Sequence, residues 1–243
     1  MVRALISRLS RRRLPPPSPL RARRLSAGPT RPTSSACTGG LCLLLLILSS
    51  CGGSGPPLRE QFYSLQPEIS VTPSARSVPG TLLVTPLGSR GFLGGTQIVF
   101  RTAEEPLQVQ RYDDFLWEAV PGQALAEALI SALRAAETFA YTVSIADRAR
   151  ADFMLNGELT RLEHQPTADP PAVSLALNLT LIAGDNRATR FSQAYSGTEP
   201  TRSSTPEAMV RACNRLSGRL LSEAVRDLQR LAPQLARDAA GRD

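Results

Sequence analysis

Five apolar residues, Val173, Leu175, Leu177, Leu179 and Leu181, alternate strictly with Ser174, Ala176, Asn178 and Thr180. A period of two puts the five on one face of a β-strand, toward a core, and the other four on the opposite face. Residues 152–164 precede this strand, and residues 188–197 follow it across Gly184-Asp185-Asn186. The three segments predict an antiparallel meander. Shorter apolar runs predict strands over 61–65, 81–87, 97–101, 107–112 and 139–145, and the brief link 102–106 makes the third and fourth of these a hairpin. In two places the period changes to that of a helix. Leu125, Leu129, Ala132, Leu133 and Ala136 share one face and predict a helix over 123–137, opened by Pro121-Gly122. Met209, Cys213, Leu216, Leu220, Ala224, Leu228 and Leu231 form a longer stripe and predict a helix over 206–231. Thr205 supplies a capping hydroxyl, Pro206 suits the first helical position, and Glu207 faces the positive helix end. Pro233 is expected to end this helix, leaving residues 233–243 as a disordered tail. The order of elements predicts one α/β domain over 61–232: a mixed, largely antiparallel sheet with two long helices packed on one face.

The apolar run near the other end has no such period. Residues 39–48, GGLCLLLLIL, fall short of the roughly 20 residues that span a bilayer as a helix. They have the length of a signal-peptide apolar core, behind a basic segment and before small residues. Leu48-Ser49-Ser50-Cys51 resembles the bacterial lipobox: an aliphatic residue, two small ones and a cysteine. That resemblance implies a diacylglyceryl group on the Cys51 sulfur, cleavage before Cys51 and acylation of the new amine. Residues 1–50 are then a signal peptide. Residues 51–60 are a lipidated cysteine and a flexible tether, GGSGPPL over 52–58. An organellar transit peptide also fits the Arg-rich, acid-free leader, and an uncleaved anchor fits the apolar run. Ser10-Arg11-Arg12-Arg13 lies too far upstream of that run to read as a twin-arginine signal.

Charge changes the picture only by its position. The formal charge is +7, from 28 basic and 21 acidic residues, and there is no lysine. Nine of the arginines and none of the acids fall in residues 1–50, which leaves 19 basic against 21 acidic residues, a formal charge of −2. A domain so near neutrality lacks the electrostatic footprint of a nucleic-acid binder. Once Cys37 and Cys42 leave with the leader and Cys51 is acylated, Cys213 is the one remaining thiol. No intramolecular disulfide is then possible, and the position of Cys213 on the helical stripe predicts a buried, inert thiol.

Candidate chemistry is sparse. His164, the single histidine, follows a strand and reads as a loop or edge residue without a G-x-S-x-G serine to serve. Residues 91–95, GFLGG, lack the lysine of a phosphate-binding loop and read as a mobile turn. Asp113 and Asp114 are adjacent, which rarely lets two carboxylates converge on one substrate, and read as solvated loop acids. Trp117 reads as a core or loop anchor, with a partner contact as the sharper alternative. No metal site, cofactor or catalytic set is expected.

A longer pattern carries a resemblance. A lipobox is followed by FYSLQP, by RYDDFLWEAVPGQALAEALISALRAAETFAYTVS and by ADFMLNGELTRLEHQ. Together they resemble the ABC-type transport auxiliary lipoproteins, which include lipoprotein partners of the paraquat-inducible (Pqi) and other Mce-type lipid transport systems. The most specific part is Tyr-x-x-x-x-Trp, here Tyr112 to Trp117. The resemblance implies a non-enzymatic periplasmic lipoprotein, acylated at Cys51, that assists an ABC transporter and an Mce-domain protein by protein contact. Tyr112 and Trp117 are candidate contact residues, and a homo-oligomer is compatible. Gly52, rather than Asp, after Cys51 favours the outer over the inner membrane. Two other readings stay open: a lipid carrier holding lipid between sheet and helices, cued by the leucine comb of 173–181, and a lipoprotein regulator of envelope biogenesis.

Overall fold

The structure, a computed structural model, describes residues 59–240. Cys51, the expected signal peptide and the tether up to residue 58 lie outside the described residues. The elements are β1 (Gln61–Tyr63), β2 (Val78–Val84), β3 (Gly88–Ser89), β4 (Gln97–Phe100), β5 (Gln110–Trp117), α1 (Pro121–Ala135), β6 (Phe139–Ser144), β7 (Phe153–Gln165), β8 (Ala172–Ala183), β9 (Thr189–Pro200) and α2 (Pro206–Ala240).

The long strand β7 organises the sheet. Along one edge it pairs antiparallel with β8, from Phe153 opposite Ala183 to Gln165 opposite Ala172. β8 in turn pairs antiparallel with β9, which completes the expected meander. Three strands share the other edge of β7 in succession, all parallel to it. Leu82 of β2 lies opposite Phe153, Gly88 of β3 opposite Glu158, and Phe100 of β4 opposite His164. β6 adds to β2 in parallel, β5 returns antiparallel along β4, and β1 lies parallel on the outside of β5. The sheet is mixed, and antiparallel mainly through its three longest strands.

A bulge sets the side-chain phase of β7. Leu159 lies opposite Leu177, but Arg161, not Thr160, takes the place opposite Ala176. One extra residue in a strand reverses which side chains face inward. Phe153, Leu155 and Leu159 are therefore buried at odd positions, while Leu162 and His164 are buried at even ones. Gly157, between Leu155 and Leu159, has no room for a side chain: a Cβ there would lie 2.6 Å from Leu87 Cδ2 and 2.7 Å from Leu179 Cδ2.

Both helices cover the comb of β8. Leu175, Leu177, Leu179 and Leu181 share one apolar cluster with Leu125, Leu129 and Leu133 of α1 and with Met209, Leu216, Leu220, Val225 and Leu228 of α2. Each such side chain contributes about 1.5–3 kcal/mol on leaving water. The comb is filled by helix packing, so it does not provide the lipid-holding gap that its leucines suggest in the sequence.

Several boundaries differ from expectation, among them that of β2, which covers Val78–Val84 rather than 81–87. β5 starts at Gln110 and reaches Trp117, so Asp113 and Asp114 belong to a strand. Residues 91–94, within the expected turn, form one turn of 3-10 helix. α2 continues through Pro233 to Ala240. Proline removes one helical hydrogen bond and crowds the preceding turn. Here the buried stripe runs from Ala232, before the proline, to Leu235, beyond it, at 3% and 1% exposure, and Arg190 reaches across from β9 to Asp238 at 3.3 Å. The expected tail is thus part of the packed helix up to Ala240. Leu235→Ala is expected to lower unfolding stability by about 2–5 kcal/mol, the cost of emptying a core leucine site. Denaturant melting measures this, and a neutral result would mean that the last turns of α2 do not pack.

Candidate functional site

The Tyr-x-x-x-x-Trp segment is built on an irregular ladder. Gln97 of β4 lies opposite Leu116, yet Val99 lies opposite Arg111. Two steps along β4 thus face five along β5, and Tyr112 to Phe115 bow out of the pairing. Such an excess lets residues three apart turn to the same side. The rings of Tyr112 and Phe115 lie 5.1 Å apart. Phe100 stacks on Tyr112 at 4.4 Å, and Tyr63 meets Phe115 edge-on at 6.2 Å. Asp113 is exposed and Asp114 half-buried.

The Tyr112 hydroxyl meets His164 Nδ1 at 2.8 Å. His164 is neither a loop nor an edge residue. It lies within β7 between Phe100 of β4 and Val173 of β8, and it is 3% exposed. The bulge at Thr160 is what turns it inward. Burial lowers the imidazole pKa to about 4. Burial, helped by the charge of Asp114, raises the Tyr112 phenol to about 12. Both groups are neutral at pH 7, so a single proton joins the phenol oxygen to Nδ1, and His164 Nε2 is a buried atom without a hydrogen-bond partner among the described residues. A general base needs a nucleophile within hydrogen-bond reach. Among the described residues the group hydrogen-bonded to His164 is a phenol with a raised pKa, and this pair ties β5 to β7.

Trp117 and Tyr112 do not form one surface. Trp117 is a core residue, 2% exposed, as its reading as a core anchor has it, and its buried indole does not fit the alternative of a partner contact. Tyr112 is half-buried under Phe100. Cys213 is buried on α2, where desolvation pushes its thiol up to about 12. Among the described residues no three metal-ligating side chains converge.

The concave surface lies just beyond Trp117. With the indole fixed in the core, Glu118 and Ala119 lead directly into α1. The segment 64–71 leaves β1 and runs along α2. Its Gln66 N–H donates to Asn214 Oδ1 at 2.9 Å, and its Ser70 N–H donates to Ser222 Oγ at 3.1 Å. Gly218 of α2 admits this segment: a Cβ there would lie 2.4 Å from the Glu68 carbonyl oxygen. Between the segment and α1 is a groove of about 790 Å³. Leu65, Ile69 and Val71 form one wall, and Ala124, Ala128 and Ala135 form the other. Glu118 and Glu127 are its only charged lining residues. In the sequence, residues 67–79 carry Pro67, Pro73 and Pro79 and no apolar period. The one available signal was the alanine row at spacings of four and seven, on the side of α1 away from its leucines.

The model of the ABC-type transport auxiliary lipoprotein component family matches residues 63–225. The chain belongs to this family. The match takes in the bowed strand, both walls of the groove and the whole meander. No curated protein matches the chain. Among solved structures, protein XCC0632 from Xanthomonas campestris, assigned to the DUF330 family, is 18% identical, with a TM-score of 0.65 over 73% of this chain and 99% of its own. It has the same fold. The PelC dodecamer from Paraburkholderia phytofirmans is 15% identical, with a TM-score of 0.40 over 65% of this chain and 94% of its own. Lipoprotein GNA1162 from Neisseria meningitidis is 14% identical, with a TM-score of 0.36 over 62% and 98%. Likenesses this distant do not bear on assembly or activity.

For this family member the buried imidazole has a measurable consequence. The folded state keeps His164 neutral down to about pH 4, whereas the unfolded chain takes up the proton near pH 6.5. Between those values the unfolded state binds more protons, so stability falls as the pH is lowered through that window, by up to about 3 kcal/mol. His164→Phe should remove this component. The difference in unfolding free energy between about pH 7.5 and pH 4.5 is then smaller in the variant, with the carboxylate contributions common to both. Equal slopes would mean that His164 is protonated in the fold.

Proposed function

We propose that the chain is a non-catalytic auxiliary subunit of an ABC/Mce-type lipid transport system of the cell envelope, held in the periplasm by acyl chains on Cys51. The family match over residues 63–225 carries this reading, and the lipobox-like Leu48-Ser49-Ser50-Cys51 supports it from outside the matched segment. No helix of the described residues is long and apolar enough to cross a membrane. In this reading the attachment comes from lipid, and two or more acyl chains hold stably where one holds marginally. Gly52 after the cysteine favours the outer membrane. The sequestered His164 is consistent with a role exercised by contact rather than by chemistry.

The groove beside α1 is the surface offered to the transport partner. Its apolar walls suit an apolar segment, and its two carboxylates face no arginine among the lining residues, so the segment it fits carries basic side chains. Alanines along α1 let a helix approach closely. Trp117 contributes indirectly, by fixing the turn from β5 into α1, and Tyr112 by holding the bowed strand.

Cys51→Ser is expected to move the protein from the membrane fraction to the soluble periplasmic fraction, and retention in the membrane would contradict acylation. The wild-type protein, purified from solubilised membranes, should bring down an Mce-domain protein. Ala128→Trp, which fills the groove, should reduce that recovery while leaving thermal stability near wild type. Recovery of no transporter subunit by the wild type would defeat the proposed role.

A further inference from the structure

The most exposed large apolar side chain among the described residues is Leu107, at 94%. It sits at the tip of the β4–β5 connection, in a turn closed by the Gln108 N–H donating to the Glu105 carbonyl at 3.0 Å. This tip is not loosely held. Arg101 bonds Glu163 twice, each at 3.1 Å, and donates to the Pro106 carbonyl at 2.6 Å. The Ala103 N–H donates to Thr167 Oγ1 at 2.8 Å, and the Thr167 hydroxyl donates to Glu104 at 3.0 Å. A braced turn thus presents a leucine and a proline to the outside.

The direction of β1 says what lies in front of that turn. β1 runs parallel to β5 with Gln61 opposite Phe115. The chain before Gln61 therefore leaves on the side of Asp114 and lower numbers, toward the β4–β5 turn. Cys51 is ten residues upstream of Gln61, and Leu107 is eight residues upstream of Phe115. Ten residues reach at most about 36 Å, and eight at most about 29 Å. The link from Gln61 to Cys51 is therefore long enough for a bilayer that holds acyl chains on Cys51 to reach the turn.

We infer that the β4–β5 turn, with Leu107 at its tip, rests on the bilayer that holds the acylated Cys51. This rests on the proposed acylation. Leu107 and Pro106 enter the headgroup boundary, where an apolar side chain gains by leaving water. Glu104 and Glu105 flank the tip and keep the contact shallow. They also favour zwitterionic over anionic lipid, since carboxylates are repelled by a negative surface.

The test uses the full acylated protein in vesicles of phosphatidylethanolamine and phosphatidylcholine. Leu107→Cys or Thr189→Cys provides a site for an NBD fluorophore, with Cys213 buried and out of reach of the label. Thr189, at the start of β9 beside Ile182, lies at the opposite end of the sheet. The Leu107 probe is expected to show blue-shifted emission and quenching by brominated lipid. The Thr189 probe should behave as in water. Protein that floats with the vesicles while its Leu107 probe stays water-exposed would overturn this inference alone. Protein that does not float would overturn the acylation, and the inference with it.

Discussion

Pairing of β7 along both edges is the constraint on which the rest depends. A strand with one free edge can slip in register or twist away. β7 cannot, because β8 follows its full length on one side while β2, β3 and β4 occupy the other in turn. The three short strands have little independent stability. They are held because β7 presents a continuous template whose phase is already set by the β8 comb and its helical cover. The bulge at Thr160 is the adjustment that lets one strand serve both ends, changing the inward residues from odd to even positions where β4 takes over from β3.

At the β4 end the template carries polar groups on both faces. On the inner face His164 is hydrogen-bonded to Tyr112, and on the other Glu163 receives both arms of Arg101. A buried polar pair costs desolvation that its hydrogen bond only partly offsets. What it supplies is geometry. Tyr112 bonds correctly only if β5 bows as it does, and Arg101 reaches Pro106 only if the hairpin turns as it does. The Tyr-x-x-x-x-Trp spacing is thus explained by structure: five steps carry the chain from the histidine contact, around the bow, to an indole sealed in the core.

The comb of β8, the hairpin and the apolar faces of both helices were legible because each repeats one period over several turns or pleats. The family was legible from the same stretch, through Tyr112 and Trp117. What escaped has no local period. β1 and β2 were legible as strands, but their parallel pairing with partners far away in sequence was not, and β3, two residues long, escaped. A bulge reads as noise in an alternation, so His164 looked like the residue after a strand. Pro233 is a local stop signal overridden by the burial of Leu235. The groove escaped because its walls come from a proline-rich segment and an alanine row, neither of which signals a surface until Gly218 draws them together.

β5 connects these parts into one device. Its first residues emerge from the turn that carries Leu107, its middle bows around Tyr112 to grip β7, and its last residue is the indole that directs Glu118 and Ala119 into the groove. A subunit tethered at Cys51 and pressed on a membrane by that turn would hold the groove at the other end of the same strand, away from the lipid. The rigidity of the grip then matters more than its contribution to stability. A second contact through a braced turn would fix which side of a lipid-anchored domain faces a partner. Fixing orientation before encounter removes part of the rotational entropy that docking otherwise costs. A small groove with two carboxylates can then select a partner that it would bind only weakly from free solution.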